Sequence, residues 1–266
     1  MRAALGHVWR AAIAAALLTG VSLVSYEARY GFQQFAQAES DMRVVLGWLA
    51  LSKSLVACSL AYVAVRSRWS GTQLMVAVFV AYFGVDSFIN QSHAMLLGDR
   101  GIVPATGALL VAHGFLVGLL FSFSLVLVMG RMRDSGFVEE SARLHLPVWE
   151  WFLKLGICCV AWLAFYGCLC SPAAPVLQWQ RVGMQVLRAL LMIVFLLPVI
   201  KMLKGGRLET ALAVAVLLLA LGALAPIVSR RLLLQERLSL VRIVGLAAAH
   251  SGYGFLGGYL FSRQSA

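Results

Sequence analysis

The chain has 266 residues, of which 61% are hydrophobic and only 12% charged, with a formal net charge of +11. A soluble domain carries about 25% charged residues and fewer apolar ones, so a water-solvated globule is excluded. Long unbroken apolar blocks and only five cysteines also exclude a disordered chain, a coiled coil and a disulfide scaffold.

A bilayer core takes about 20 mostly apolar residues per helix. Cutting the chain where charges, Gly and Pro cluster yields eight blocks, approximately 9–26, 44–65, 73–97, 102–130, 148–170, 182–203, 210–229 and 238–261. The expected fold class is therefore all-α, a polytopic membrane bundle of about eight transmembrane helices forming a single domain over 1–266. Arg2 and Arg10 precede the first block as they would in a signal peptide, but no small-x-small cleavage site follows before Glu27, so it reads as a retained helix. No repeat of four plus four helices is visible.

An even number of helices brings both termini to one side. Arg2, Arg10, Arg66, Arg68, Arg131, Arg133, Arg143, Lys201, Lys204, Arg207 and Arg263 fall on that side, against Arg29, Arg43, Arg100 and Arg181 in the first three loops of the other. This bias leads us to expect a plasma (inner) membrane protein with cytoplasmic termini. Arg230, Arg231, Arg237 and Arg242 break the pattern by facing outward.

The third block carries Tyr82, Asp86, Asn90 and His93 at spacings of four, four and three, which stacks them on one helical face, with Ser87 and Gln91 beside them. An ionisable group such as Asp86 costs about 2.5–3.5 kcal/mol at the bilayer centre, so the stripe is expected to face the bundle interior or a water-filled cavity. The competing expectation is structural: a buried pair between Asp86 and Lys53 of the second block, holding helices together.

His93, His113 and His250 come from three blocks. Neutral imidazole can relay protons, bind a metal or ligate haem. No close histidine pair on one helix supports a metal or haem site, so no cofactor is expected; were one bound, these three residues would be its ligands. Cys58, Cys158, Cys159, Cys168 and Cys170 show no zinc spacing and read as apolar filler.

In the eighth block Gly254 and Gly258 form a Gly-x-x-x-Gly pair on the face of His250, and Gly114 and Gly118 do the same beside His113. The expectation is close packing of the fourth and eighth blocks with their imidazoles together. The preceding stretch, 229–242, has no Gly or Pro and is expected to continue the helix along the interface, with Arg231, Arg237 and Arg242 contacting anionic groups. Arg188 and Lys154 are expected to snorkel toward helix ends, and Glu150 forms an i,i+4 pair with Lys154.

Ala249-His250-Ser251-Gly252 resembles the last helix of rhomboid proteases over about a dozen residues. Glu139-Glu140-Ser141-Ala142-Arg143 is similar to the Glu-Glu-x-x-x-Arg signature of the CAAX-type membrane proteases. The chain has no Gly-x-Ser-Gly to supply a nucleophile, and the acidic motif is one residue short, so neither activity is carried over.

Three functions compete at this level. The first is a small proton-coupled permease for a small polar or anionic solute, using Tyr82, Asp86, Asn90, Gln91, His93, His113 and His250 as the substrate- and proton-binding site. The second is a membrane-embedded enzyme acting on a lipid-linked or anionic substrate with intramembrane His and Asp. The third is an accessory or assembly subunit without chemistry. The expected partners are membrane lipids, a solute or lipid headgroup, and a helix-mediated oligomer or complex, with no nucleic acid.

Overall fold

The computed structural model describes residues 6–21, 42–90, 92, 104–133, 147–170, 179–227 and 239–262. They form eight helices: α1 Gly6–Val21, α2 Met42–Val65, α3 Gly71–Ile89, α4 Pro104–Val128, α5 Val148–Cys170, α6 Trp179–Met202, α7 Arg207–Ile227 and α8 Leu240–Phe261. No β-strand occurs among the described residues. The six helices α2 to α7 are long and apolar enough to cross a membrane, and α1 is a shorter apolar helix. The chain is an all-α integral membrane bundle, because only intrahelical bonding satisfies the backbone in lipid.

Burial ranks the helices. The window of α7 is 72% buried and that of α5 only 11% buried, so α7 is central and α5 peripheral. Composition explains this: α7 is rich in Ala, and α8 brings glycines against it. A Cβ on Gly254 would stand 2.8 Å from the Val214 carbonyl oxygen, and one on Gly258 would stand 2.7 Å from Ala211 Cα. Backbones thus meet where side chains are smallest. On α5, Trp149, Phe152, Leu153 and Val160 are exposed, as a lipid-facing helix requires.

The glycine faces correct one expectation. Gly254 and Gly258 seat α8 on α7, whereas Gly114 and Gly118 seat α4 on Ser87, Tyr82 and Phe79 of α3. The two motifs do signal close approach, but to different neighbours and not to one another. A second correction concerns the segment before α8. Ser239 has extended backbone (φ −63°, ψ 148°) and its Oγ accepts from the Arg242 N–H, so α8 starts at a capped break and not as the continuation of an earlier helix. Arg231 and Arg237 lie outside the described residues.

One end of the bundle is tied by backbone. The Arg68 N–H donates to the Met202 carbonyl at 2.7 Å, the Lys204 N–H to Arg66 at 2.8 Å and the Gly71 N–H to Arg131 at 2.7 Å. The Arg131 guanidinium donates to the carbonyls of Ser67 and Trp69, Arg10 donates to that of Met129, and Arg66 pairs with Glu209. Gly71 has φ 54°, a left-handed conformation that suits glycine at the tight α2–α3 turn.

Candidate functional site

Two helices that span the bundle each contain a π-helical stretch: Tyr82–Ile89 within α3 and Leu219–Leu224 within α7. Such insertions widen a helix by one residue per turn and cluster at functional sites. Here the two stretches pack directly against one another. Each admits a ring at a glycine. Phe195 of α6 lies over Gly84, where a Cβ would meet the ring at 2.2 Å, and His250 of α8 lies over Gly222, where it would meet the imidazole Cδ2 at 2.4 Å. The exit from the first π stretch is closed by Asn90, whose Nδ2 donates to the Val85 and Asp86 carbonyls at 3.1 Å each. A side-chain amide thereby serves carbonyls at a change of helical pitch.

The polar residues form two groups, and Lys53, Tyr82, Asp86, Arg188 and His250 lie at about 16–23 Å along α2, α3, α6 and α8 from the tied end at roughly 1.5 Å per residue. In the first, Lys53 of α2 lies 3.7 Å from Asp86 Oδ2, with side-chain exposures of 13% and 14%. Its ammonium donates to Tyr82 Oη at 3.5 Å and stands 5.8 Å from the Tyr82 ring centre. Charge-assisted bonds of an ammonium typically run about 2.7–2.9 Å, so both contacts of Lys53 in this triad are loose.

The second group centres on Arg188 of α6. Its Nη2 donates to Asn90 Oδ1 at 3.4 Å and lies 3.3 Å from His250 Nε2. The guanidinium carbon stands 5.5 Å from the Trp162 ring centre, within cation–π range. Trp162 is fully buried; its Nε1 donates to Gln185 Oε1 at 3.0 Å, and its ring meets His250 edge-on at 5.0 Å. Tyr253 closes the cluster, donating to the Ala189 carbonyl at 2.7 Å. Four helices, α3, α5, α6 and α8, thus converge on one guanidinium.

Searches of protein-family models, of curated proteins and of solved structures find no match to this chain. The site is therefore read from its own residues.

Of the residues singled out in the sequence, Tyr82 and Asp86 share the Lys53 ammonium, and Asn90 and His250 are brought together through Arg188. His113 is half-buried on α4, next to the glycine that packs on Ser87. Arg242 is exposed in the first turn of α8. Gln91 and His93 lie outside the described residues. Arg188 is the residue that sequence reasoning missed: it does not snorkel to a helix end but lies in the interior. Its signal was the i,i+3 spacing of Gln185 and Arg188, two polar side chains on one face of an apolar helix. Lys154 does pair with Glu150, at 2.9 Å. Among the described residues no group of three or more His, Cys, Asp or Glu side chains could hold a metal ion.

Proposed function

We propose that the chain is a small proton-coupled permease of the plasma (inner) membrane, with cytoplasmic termini, carrying a small polar or anionic solute. The observation that carries this reading is the loose Lys53–Asp86–Tyr82 triad on a π-helical stretch in the bundle interior. A carboxylate held at 3.7 Å from its cation keeps its charge compensated, yet retains acceptor capacity for a proton or for a polar solute group entering between them. The orientation is supported by the tied end, which gathers Arg10, Arg66, Arg68, Arg131 and Lys204 on one face, as the excess of basic residues in cytoplasmic loops requires.

The test is solute-driven proton movement in proteoliposomes containing a pH-sensitive dye, challenged with acetate, succinate, inorganic phosphate and neutral amino acids in turn. The wild type is expected to move protons with one solute class, and Asp86→Asn to lose the pH dependence. Unchanged pH-dependent uptake in Asp86→Asn overturns the reading. One observation favours the alternative of an accessory subunit: Asn90 directs its amide into its own helix, a structural task. That alternative predicts no proton movement with any solute.

A further inference from the structure

His250 is fully buried, and both ring nitrogens have partners. Nε2 faces Arg188 Nη2 at 3.3 Å, and Nδ1 faces the Leu246 carbonyl at 2.8 Å. A guanidinium has no lone pair to offer, so in that contact Nη2 donates and Nε2 accepts. The Leu246 carbonyl is an acceptor, so Nδ1 carries the proton. The network thus selects one species, the neutral Nδ1–H tautomer. Chemistry makes this arrangement conditional: a proton added at Nε2 would aim an N–H at the N–H of a permanent cation, replacing a hydrogen bond by repulsion between two charges.

We propose that His250 Nε2 is a proton-binding site that operates a latch: neutral His250 holds Arg188 and ties α6 to α8 and, through Asn90, to α3, whereas His250 protonated at Nε2 releases Arg188. The site is a residue-level device independent of the identity of any solute, and it stands apart from the Asp86 triad. The step balances simply: the ring gains one proton from water at Nε2, Nδ1–H stays on Leu246, and Arg188 Nη2 gives up Nε2 while keeping Asn90 Oδ1 as acceptor.

Among the described residues, Arg188 is a charged side chain in direct contact with the ring. On α5 the titratable groups are Cys158, Cys159, Cys168, Cys170 and Tyr166, together with Glu150 and Lys154, which pair with each other near Phe261. Thiols and phenols carry no charge in the range where an imidazole titrates. On α7 the π stretch Leu219–Leu224 contains no titratable residue, and Arg207 and Glu209 lie at the start of that helix, Arg207 against Tyr259 and Glu209 against Arg66. On α6 the other charged residues are Arg181 in the first turn and Lys201 in the last, on α3 Asp86 faces Lys53, and α8 itself offers Tyr253, Tyr259 and Arg242. Gly222 lets the ring approach α7 closely enough to be held in this pose.

Two measurements on the full chain test the latch without requiring transport. In protein labelled with 15N-histidine, the His250 ring is expected near neutral pH to show an unprotonated Nε2 and a protonated Nδ1. The signal is assigned by its loss in His250→Gln or, should that variant not fold, by replacing His7, His93, His113 and His145 in turn. A neutral Nε2–H tautomer overturns the proposal. In the second, backbone hydrogen–deuterium exchange around His250 is followed from about pH 8 down to about pH 4, because a free imidazole takes up its proton between about pH 5 and 8 and this one must do so beside a cation. After correction for the intrinsic rate, wild type is expected to exchange about tenfold faster at the acid end, the effect of losing one hydrogen bond to a charged group, and His250→Gln to show no such rise. An equal rise in His250→Gln overturns the latch. A failure of the permease reading would leave both results unchanged.

Discussion

Replacing Gly222 with alanine tests how the centre of the bundle is packed. The new methyl would stand 2.4 Å from His250 Cδ2, 3.2 Å from Nε2 and 3.3 Å from Cγ. Carbon–carbon contacts settle at about 3.5–4.0 Å, so the imidazole must retreat by about 1 Å or more. A shift of that size does not preserve both the 2.8 Å bond to Leu246 and the 3.3 Å contact with Arg188. Overpacking costs about 1–3 kcal/mol and the lost bond to a charged group about 1.5–3 kcal/mol, offset by about 1 kcal/mol of helix propensity for alanine over glycine. The net expectation is a loss of about 1.5–5 kcal/mol, read from reversible unfolding in mixed micelles as the fraction of SDS rises, followed by circular dichroism. Gly156→Ala on α5 is the control, because nothing lies within 4 Å of its Cβ position; it should be neutral or stabilise by up to about 1 kcal/mol. A Gly222→Ala protein as stable as wild type would refute the seating of His250 against α7.

Two further outcomes follow from the same geometry. Lys53→Met should destabilise by about 3–5 kcal/mol by leaving Asp86 without its cation, and adding Asp86→Leu should restore most of that loss; strict additivity of the two substitutions would show that the pair is not coupled. Tyr253→Phe should lose about 0.5–1.5 kcal/mol in the same unfolding assay through the missing bond to Ala189, and a protein of wild-type stability would remove that bond from the account.

The helices were legible because lipid imposes length and apolarity together; α5 was bounded at 148–170 by charge and proline alone. The polar stripe was legible for a related reason, since Asp86 in an apolar run demands a partner, and Lys53 supplies it. What could not be read was adjacency. A Gly-x-x-x-Gly pair encodes how closely a neighbour can come and not which neighbour, so Gly258 gave no hint of Ala211. Arg188 was hidden for the same reason, because Trp162 and His250 approach it from two other helices, α5 and α8. The π stretches leave the apolar composition unchanged and shift only the pitch, which a count of hydrophobic residues does not register.

The tied end bears on biogenesis. The bond from Arg68 to Met202 and the bond from Lys204 to Arg66 join segments more than 130 residues apart. At roughly 5–20 residues per second of synthesis, the turn between α2 and α3 waits roughly 7–27 s for the end of α6 to emerge. During that interval the carbonyl of Arg66 and the amide of Arg68 face the aqueous interface, where water can serve them, and not the hydrocarbon, where nothing could. The closing of this seam therefore follows the entry of α6 into the membrane, and a chain stopped short of Met202 would hold its early helices without this fastening.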